Sequence, residues 1–250
     1  MKYTVLSDIG QKRSVNEDRA AMFVRSDFVR LGVIADGMGG HNAGDIASDM
    51  AITKIGKFFE SATPQHFYSE DSIKLWFLNV VEKINRLIFD YSLTHEDCQG
   101  MGTTFLAAVI TDNQKVLCHI GDSRAYGLDS GLLKQLTKDH SYVNVLVENG
   151  EISEEEAQSH PKKNLITKSL GTEKTIEPDF FSLIIPTYSY LLLCSDGLSN
   201  KLSIDDMTTI LSTTNTSIHE KGKHLVDLAN EKGGEDNISL VLINNTKEEV

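Results

Sequence analysis

Short apolar runs constrain the fold of this chain more than any other feature of its sequence. Seven of them are rich in Val, Ile, Leu and Thr and bounded by Gly, Asp or Asn, a pattern typical of β-strands. They occupy residues 3–8, 29–35, 103–111, 115–120, 181–185, 189–195 and 237–243. Several follow one another with no helix between them, which favours antiparallel sheets with helices outside. We therefore predict an α+β fold.

Two longer stretches are predicted as helices. In residues 43–59 and 70–91 the apolar side chains largely recur at i, i+3, i+4 and i+7, and weaker helical patterns lie near 205–212 and 219–231. Residues 139–171 differ, since they are densely charged and suggest short helical pieces at best. We call 139–171 the flap and predict that it is a surface insertion between core strands, where function is often carried.

Length and composition indicate one domain over residues 1–250. The 250 residues, 40% of them hydrophobic, can bury a sizeable core, and no linker-like run divides them. No apolar run approaches the roughly 20 residues that span a bilayer, and no signal peptide is evident. Cys98, Cys118 and Cys194 lack metal-site spacing and indicate buried thiols in a reducing compartment. We expect a cytoplasmic monomer.

The formal net charge of −12 limits the partners of this chain. It argues against nucleic-acid backbones and anionic membranes as binding partners. The same charge would repel a phosphate substrate, unless bound cations offset it locally.

Several aspartates occupy similar settings beside predicted strands. Asp36 and Asp196 each follow an apolar run and precede a glycine, Asp236 stands just before the last strand, and Asp122 follows strand 115–120. A strand end projects a short acid rigidly, and a following glycine lets the backbone approach a ligand. Acids brought together need a cation, and all-oxygen ligation indicates Mg²⁺ or Mn²⁺. Each Asp-Gly alone also fits a hairpin turn, and the Asp122 segment equally fits a β-turn.

A second polar group lies near the N-terminus. Arg13 offers a planar fork suited to phosphate, and Glu17 and Asp18 could serve a metal directly or through water. The alternative interpretation is a solvated charged surface.

Nine pieces of the sequence recur in a familiar order across nearly the whole chain. They are 7–10, 13–18, 33–41, 100–104, 119–126, 136–141, 164–171, 194–198 and 236–237. In this order they resemble the type 2C metal-dependent serine/threonine protein phosphatases, above all the freestanding bacterial form that opposes serine/threonine kinases. Each piece alone is a weak signal, whereas nine in register are a strong one.

The resemblance implies both a fold and an activity. The fold would be a central β-sandwich of two mainly antiparallel sheets flanked by helices on both sides. The activity would be hydrolysis of phosphoserine and phosphothreonine in proteins by direct attack of a metal-bridging water, with two or three Mn²⁺ or Mg²⁺ ions. Phosphorylated proteins and a cognate kinase would be the partners.

The resemblance also implies roles for the acids around the first two ions. Asp36 would bridge both ions, and Asp36 and Arg13 would be the catalytic residues. The Gly37 carbonyl would bind the first ion, and Asp196 and Asp236 the second.

Further roles follow from the same resemblance. Glu17 and Asp18 would hold metal-bound waters, and Asp122 with Asp196 would bind a third ion. Arg13 would bind the phosphate group.

The chain departs from the family pattern in two places, and other functions stay open. Met38 stands where animal members have His, so the identity of the general acid is open. Water and the nearby His41 are the two candidates, and His41 is more readily interpreted as a structural residue. Lys168 stands where many bacterial members have Arg. One alternative is a non-catalytic regulatory binding module, although every required acid is present. A two-metal phosphodiesterase acting on nucleic acid is disfavoured by the charge.

Overall fold

A computed structural model describes residues 1–40, 43–183 and 188–245 of the chain. Its strands are β1 (Lys2–Asp8), β2 (Asp18–Val24), β3 (Arg30–Met38), β4 (Gly102–Thr103), β5 (Phe105–Ile110), β6 (Lys115–Ile120), β7 (Arg124–Asp129), β8 (Leu132–Gln135), β9 (Asp179–Ser182), β10 (Tyr190–Cys194) and β11 (Ile238–Asn244). They form a five-stranded sheet, β1-β11-β10-β7-β8, and a six-stranded sheet, β2-β3-β5-β6-β9, with β4 paired to the end of β3. Every pairing is antiparallel.

The two sheets pack face to face. Leu106 of β5 and Leu193 of β10 lie in the core between the sheets, together with Val241 of β11. Successive residues of a strand point to opposite faces, so Phe105 and Ala107 face the helical layer instead. Because both faces of β5 are buried, its sequence is a continuous apolar run rather than an alternating one.

Helices cover both outer faces of the sandwich. The α-helices are α1 (Ala43–Ser61), α2 (Glu70–Thr94), α3 (Tyr142–Glu148), α4 (Glu154–Ser159), α5 (Asp196–Ser199), α6 (Ile204–Ser212) and α7 (Ile218–Glu231), with 3₁₀ turns at Pro64–Phe67 and Glu96–Cys98. Ile55 of α1 and Phe77 of α2 pack in the core of the six-stranded sheet. Met207 of α6 and Leu225 of α7 pack on the five-stranded sheet. The predicted sandwich with helices on both sides is confirmed.

The flap contains two short helices, α3 and α4, and lies between β8 and β9 in the chain. Its ends are tied together at the base, where the Tyr142 N–H donates to the Leu165 carbonyl at 2.8 Å and the Thr167 N–H to the His140 carbonyl at 2.8 Å. Among the described residues, no helix is both long and apolar enough to cross a membrane.

Three strands, β2, β7 and β8, were not predicted. β2 contains two alanines, β7 contains Gly127, and β8 has only four residues, so none of them shows a strong β pattern. A Cβ at position 127 would lie 2.4 Å from the Tyr188 ring, which explains the glycine by close packing.

The bounds of three predicted strands also differ. Strand 103–111 is broken at Thr104, and β3 extends to Met38 instead of ending at 35. The strand expected at 181–185 is β9, shifted toward the N-terminus, and residues 184–185 lie outside the described residues.

Candidate active site

Asp36 lies inside β3, one residue beyond the predicted end of that strand. Its N–H donates to the Thr104 hydroxyl at 2.9 Å, and its carbonyl accepts the Thr104 N–H at 2.8 Å and the Thr103 hydroxyl at 3.0 Å. These bonds replace the regular ladder at this point, which is why the strand 103–111 breaks at Thr104. The backbone of Asp36 is therefore held from two residues of the next strand segment.

Asp18 stands directly opposite Asp36 in the pairing of β2 with β3, so both side chains point to the same face. Asp18 is buried, and the Ser195 hydroxyl donates to its Oδ2 at 2.6 Å. Ser195 follows β10 in the other sheet and accepts the Ser239 N–H at 3.0 Å. This contact links the two sheets at the acid.

Asp196 and Asp236 meet at neighbouring strand ends of the five-stranded sheet. Asp196 is the first residue of α5, two residues after the end of β10, and accepts a hydrogen bond from Asn200 Nδ2 at 3.0 Å. Asp236 precedes β11. A Cβ at Gly197 would lie 2.0 Å from the Asn237 carbonyl, so only glycine permits this approach of the two segments.

Asn237 fastens the N-terminal loop to the site. Its Nδ2 donates to the carbonyls of Ile9 at 2.9 Å and Val15 at 3.0 Å, and its Oδ1 accepts the Glu17 N–H at 2.8 Å. Arg13 is carried on this loop, and its Nη2 donates to Asp236 Oδ2 at 2.8 Å. The Arg13 side chain is 47% exposed, which leaves its guanidinium accessible to a ligand.

Glu17 lies against the start of α1. The Gly37 N–H donates to the Glu17 carbonyl at 3.2 Å, and a Cβ at Gly37 would lie 2.1 Å from the Gly44 carbonyl. A Cβ at Gly44 would lie 2.6 Å from Glu17 Oε1. Both glycines are therefore required where β3, the Glu17 segment and α1 converge.

Asp122 follows β6 on a loop of unusual backbone conformation. Gly121 has a φ of +109°, which disfavours any residue with a Cβ, and such a Cβ would lie 2.6 Å from Thr104 Cγ2. Asp122 is only 8% exposed, and no hydrogen-bond partner among the described residues reaches its Oδ1.

Burial and mutual repulsion make the ionised forms of these acids costly. Burial, and then the charges of Asp18, Asp196, Asp122 and Asp236, raise the pKa of Asp36 well above its usual range. Burial is also the main reason that the pKa of Asp18 rises to about 7 and that of Asp122 to about 8.

Two further acids show the same effect. Burial, followed by the charge of Asp236, raises the pKa of Asp196. The pKa of Glu17 is raised by burial as well. A cluster of this kind favours either bound protons or bound cations.

The donor set fits divalent cations. Glu17 Oε1 and Asp122 Oδ1 are buried oxygens without a hydrogen-bond partner among the described residues, and a cation or its water would satisfy both. Across residues 1–40, 43–183 and 188–245, no three His, Cys, Asp or Glu side chains are spaced as a complete ligand set for one ion. Pairs of carboxylates, a backbone carbonyl and water are the coordination typical of Mg²⁺.

One departure from the family pattern, Met38, directly follows Gly37, and the other, Lys168, lies in the flap. Met38 ends β3 and pairs with Gly102 of β4. Lys168 Nζ lies 3.5 Å from Asp179 Oδ1. His41, the residue considered as a general acid, lies outside the described residues.

Four residues without a predicted role also shape the site: Thr104, Ser195, Asn237 and Gly44. The first three stand in sequence pieces that matched the family order, and that match was the signal that could have found them. Nothing in the sequence around Gly44 predicts its contact with Glu17, because that contact depends on where α1 meets β3.

Comparison with known proteins shows which family the chain belongs to. The family model described as Protein phosphatase 2C matches residues 10–230. The serine/threonine phosphatase Stp of Listeria monocytogenes is 40% identical over 237 residues, which cover 95% of this chain and 93% of that protein.

Solved structures are similar over nearly their full length. The serine/threonine phosphatase of S. agalactiae has 40% sequence identity and a TM-score of 0.91, with 98% of this chain and 99% of that chain covered. The catalytic domain of the phosphatase PstP in complex with two manganese ions has 33% identity and a TM-score of 0.82, with 97% of each chain covered. The chain therefore belongs to the protein phosphatase 2C family.

Proposed function

We propose that this chain is a metal-dependent phosphatase that removes phosphate from phosphoserine and phosphothreonine in proteins. The observation that carries the proposal is the convergence of buried acids from both sheets, with raised pKa values and two unpartnered oxygens. The names of the relatives and the manganese complex of PstP support the substrate class and the metal. The complete acid set favours an enzyme over a non-catalytic binding module.

The acids divide into an inner and an outer group in this proposal. Asp36 would hold two ions, the Gly37 carbonyl would help to hold the first, and Asp196 and Asp236 would hold the second. The charges of Asp196 and Asp236 contribute to the raised pKa of Asp36, as do those of Asp18 and Asp122, so the division itself follows the family resemblance.

The outer group acts through water or holds a further ion. Glu17 and Asp18 would hold the ions through water, and Asp122 with Asp196 would hold a third ion. The charge of Asp196 is the second cause, after burial, of the raised pKa of Asp122, which supports the pairing.

The chain's own residues bind and orient the phosphate group. When bound, the ions supply a nucleophilic water at neutral pH and neutralise negative charge on the substrate. The Arg13 guanidinium lies beside the acid set, where its planar fork can hold two phosphate oxygens. The acids Asp18 and Asp36, locked by Ser195 and Thr104, keep the ligand positions fixed.

The proposal also extends to the organisation of the protein. The site residues all come from one chain, so a monomer with a single domain over residues 1–250 suffices. A serine/threonine kinase that phosphorylates the same proteins is the opposing enzyme that this activity implies. The net charge of −12 supports proteins, rather than nucleic acids or anionic membranes, as substrates.

Phosphate release from synthetic peptides tests the proposed function. Phosphoserine and phosphothreonine peptides should be hydrolysed with Mn²⁺ or Mg²⁺, and activity should disappear with excess EDTA and return on adding Mn²⁺. A matched phosphotyrosine peptide is the control for substrate class. Full activity in EDTA, or none on any phosphopeptide with either metal, would contradict the proposal.

Arg13→Ala is expected to raise KM for a phosphopeptide by roughly 10- to 100-fold, the loss of one charge-assisted contact. Mn²⁺ affinity should change little, because Arg13 is not a ligand. Lys12→Ala is the matched control, since it removes the neighbouring exposed cation. Unchanged KM and kcat in Arg13→Ala would show that Arg13 is only a surface residue.

The flap is expected to govern the choice of protein substrate rather than the chemistry. Residues of the flap and residues 199–204 line a cleft of about 660 Å³, and Asn200 in this lining donates a hydrogen bond to Asp196. Glu154 lines this cleft, and Glu155 and Glu156 neighbour it on α4. Gln at 156 can keep the capping box with Ser153, so the triple change to Gln should not unfold α4.

The measurement is a paired assay of this triple variant. kcat/KM on phosphoproteins should change, whereas hydrolysis of a small aryl phosphate should stay near the wild-type rate. Equal losses on both substrates would mean that the flap supports the active site itself.

A further inference from the structure

Two stacked histidines form hydrogen bonds with the loop that carries Asp122. The rings of His119, on β6, and His140, at the base of the flap, lie 4.9 Å apart at an interplanar angle of 26°. His119 is fully buried, and its Nδ1 has no hydrogen-bond partner among the described residues. A buried imidazole with an unsatisfied nitrogen costs stability that an apolar side chain would not. The contacts of the two rings therefore require an explanation.

His140 holds the residue before Asp122 in two ways. The Gly121 N–H donates to His140 Nδ1 at 3.0 Å, and the His140 N–H donates to the Gly121 carbonyl at 2.8 Å. Gly121 is the residue whose φ of +109° sets the direction of the loop, and a glycine is the residue most in need of such restraint. His140 thus fixes both peptide groups of Gly121.

His119 holds the residue after Asp122. Its Nε2 lies 2.9 Å from the Ser123 carbonyl, which makes Nε2 the protonated nitrogen and leaves Nδ1 as the bare acceptor. The Ser123 hydroxyl in turn bonds with the Thr104 hydroxyl at 2.8 Å, beside Asp36. Asp122 is therefore restrained on both sides by an imidazole.

The hydrogen bond from Gly121 also sets the tautomer of His140. Since Nδ1 accepts, the proton is on Nε2, which lies 3.2 Å from Asp179 Oδ2 without the alignment of a regular hydrogen bond. Asp179 stands opposite His119 in the pairing of β6 with β9. The hydrogen bond from the Gly121 N–H is thus the well-aligned contact of the His140 ring, and Asp179 lies near the other ring nitrogen, Nε2.

We propose that His140 is a positioning residue, stacked on His119, that holds the Asp122 carboxylate where the outer ion binds. The inference rests on the proposed function, since it assumes that Asp122 serves an ion separate from the inner pair. His140 does not touch substrate or metal in this proposal. It acts through the backbone of Gly121, so its loss should weaken one ion site and leave the other ions in place.

A pair of conservative variants separates this role from a general structural one. In His140→Asn the amide oxygen can take the place of Nδ1 and accept the Gly121 N–H, whereas the contact toward Asp179 is lost. In His140→Gln the longer side chain reaches toward Asp179, and the Gly121 N–H loses its acceptor. Asp122→Ala provides the reference for an empty outer site.

Mn²⁺ binding to the purified full chain, followed by titration calorimetry, is the measurement. His140→Gln should weaken the lowest-affinity Mn²⁺ site by roughly three- to tenfold, as expected for one lost hydrogen bond. His140→Asn should stay within about twofold of wild type, and both variants should keep wild-type affinity for the inner ions. Thermal unfolding without metal confirms that each variant is folded.

Two results would overturn the proposal in distinguishable ways. If Asp122→Ala binds as many Mn²⁺ ions as wild type, the outer site is wrongly assigned, and this failure belongs to the proposed function. If Asp122→Ala loses one ion but the Asn and Gln variants behave alike, the Gly121 contact does not position Asp122. A uniform weakening of all sites in His140→Gln would likewise show a structural role only.

Discussion

Asp36→Asn is expected to lower kcat on a phosphopeptide by on the order of 10³-fold or more at saturating Mn²⁺. Removing one preorganised electrostatic contact from a catalytic site already costs about 10²–10³. Asp36 lies at the centre of the cluster, where the charges of four other acids act on its pKa, so its loss affects both inner ions. Asn keeps the shape of the side chain and removes only the charge.

The same substitution should stabilise the protein when no metal is bound. Burial and neighbouring acids make the ionised Asp36 costly, and a neutral amide avoids that cost. Urea unfolding in EDTA should therefore give a higher midpoint for Asp36→Asn than for wild type. Asp112→Asn, at an exposed position between β5 and β6, is the control and should change neither quantity. An Asp36→Asn enzyme with more than a tenth of wild-type turnover would refute the assignment.

The sandwich could be predicted because its strands are buried on both faces. Runs such as Phe105–Ile110 have to be apolar throughout, and that pattern is visible without knowledge of the fold. β2 and β7 could not be predicted in this way. β2 is held by its pairing with β3 and the packing of α1, and β7 by its pairing with β10, rather than by their own propensity.

The candidate site, like the fold, could be predicted from the sequence only in part. Asp36, Asp196 and Asp236 were recognisable because each stands beside an apolar run. The connections that hold them are not recognisable from local patterns, since Asn237 binds residues more than 200 positions away and Ser195 binds Asp18 across 177 positions. A sequence pattern shows what each segment can form, whereas the meeting of loops depends on how both sheets pack.

The metal-free protein is expected to lose a few kcal/mol of stability between pH 5 and pH 8.5. Asp18 and Asp122 have folded-state pKa values of about 7 and about 8, above the ordinary value of 3.8. A group with a raised pKa contributes stability that is fully present below its unfolded pKa and lost as pH rises through its folded pKa. The loss therefore begins near pH 4, the unfolded pKa, and is complete near pH 8, the higher of the two folded pKa values. Each unit by which the folded and unfolded pKa values differ corresponds to about 1.4 kcal/mol.

The buried residue His119 makes stability depend on pH in the opposite direction. Burial lowers the pKa of His119 from 6.5 to about 3, so the stability that this neutral histidine contributes is lost as pH falls from 6.5 toward 3. The groups that His119 contacts, Ser123 and His140, are not metal ligands in the proposal, so its contribution to stability should be the same with and without metal. The difference between the Mn²⁺-bound and metal-free proteins therefore isolates the acids, and the stabilisation by Mn²⁺ should grow as pH rises.

Urea unfolding across this pH range, in parallel with EDTA and with a fixed excess of Mn²⁺, measures that difference. The gap in unfolding free energy should widen steadily from pH 5 to pH 8.5, because Mn²⁺ competes with fewer protons and offsets more negative charge. Asp18→Asn should narrow the gap, since it removes one of the titrating charges without removing the Ser195 contact site. A gap that is constant with pH would mean that these acids are not the ones that bind the metal.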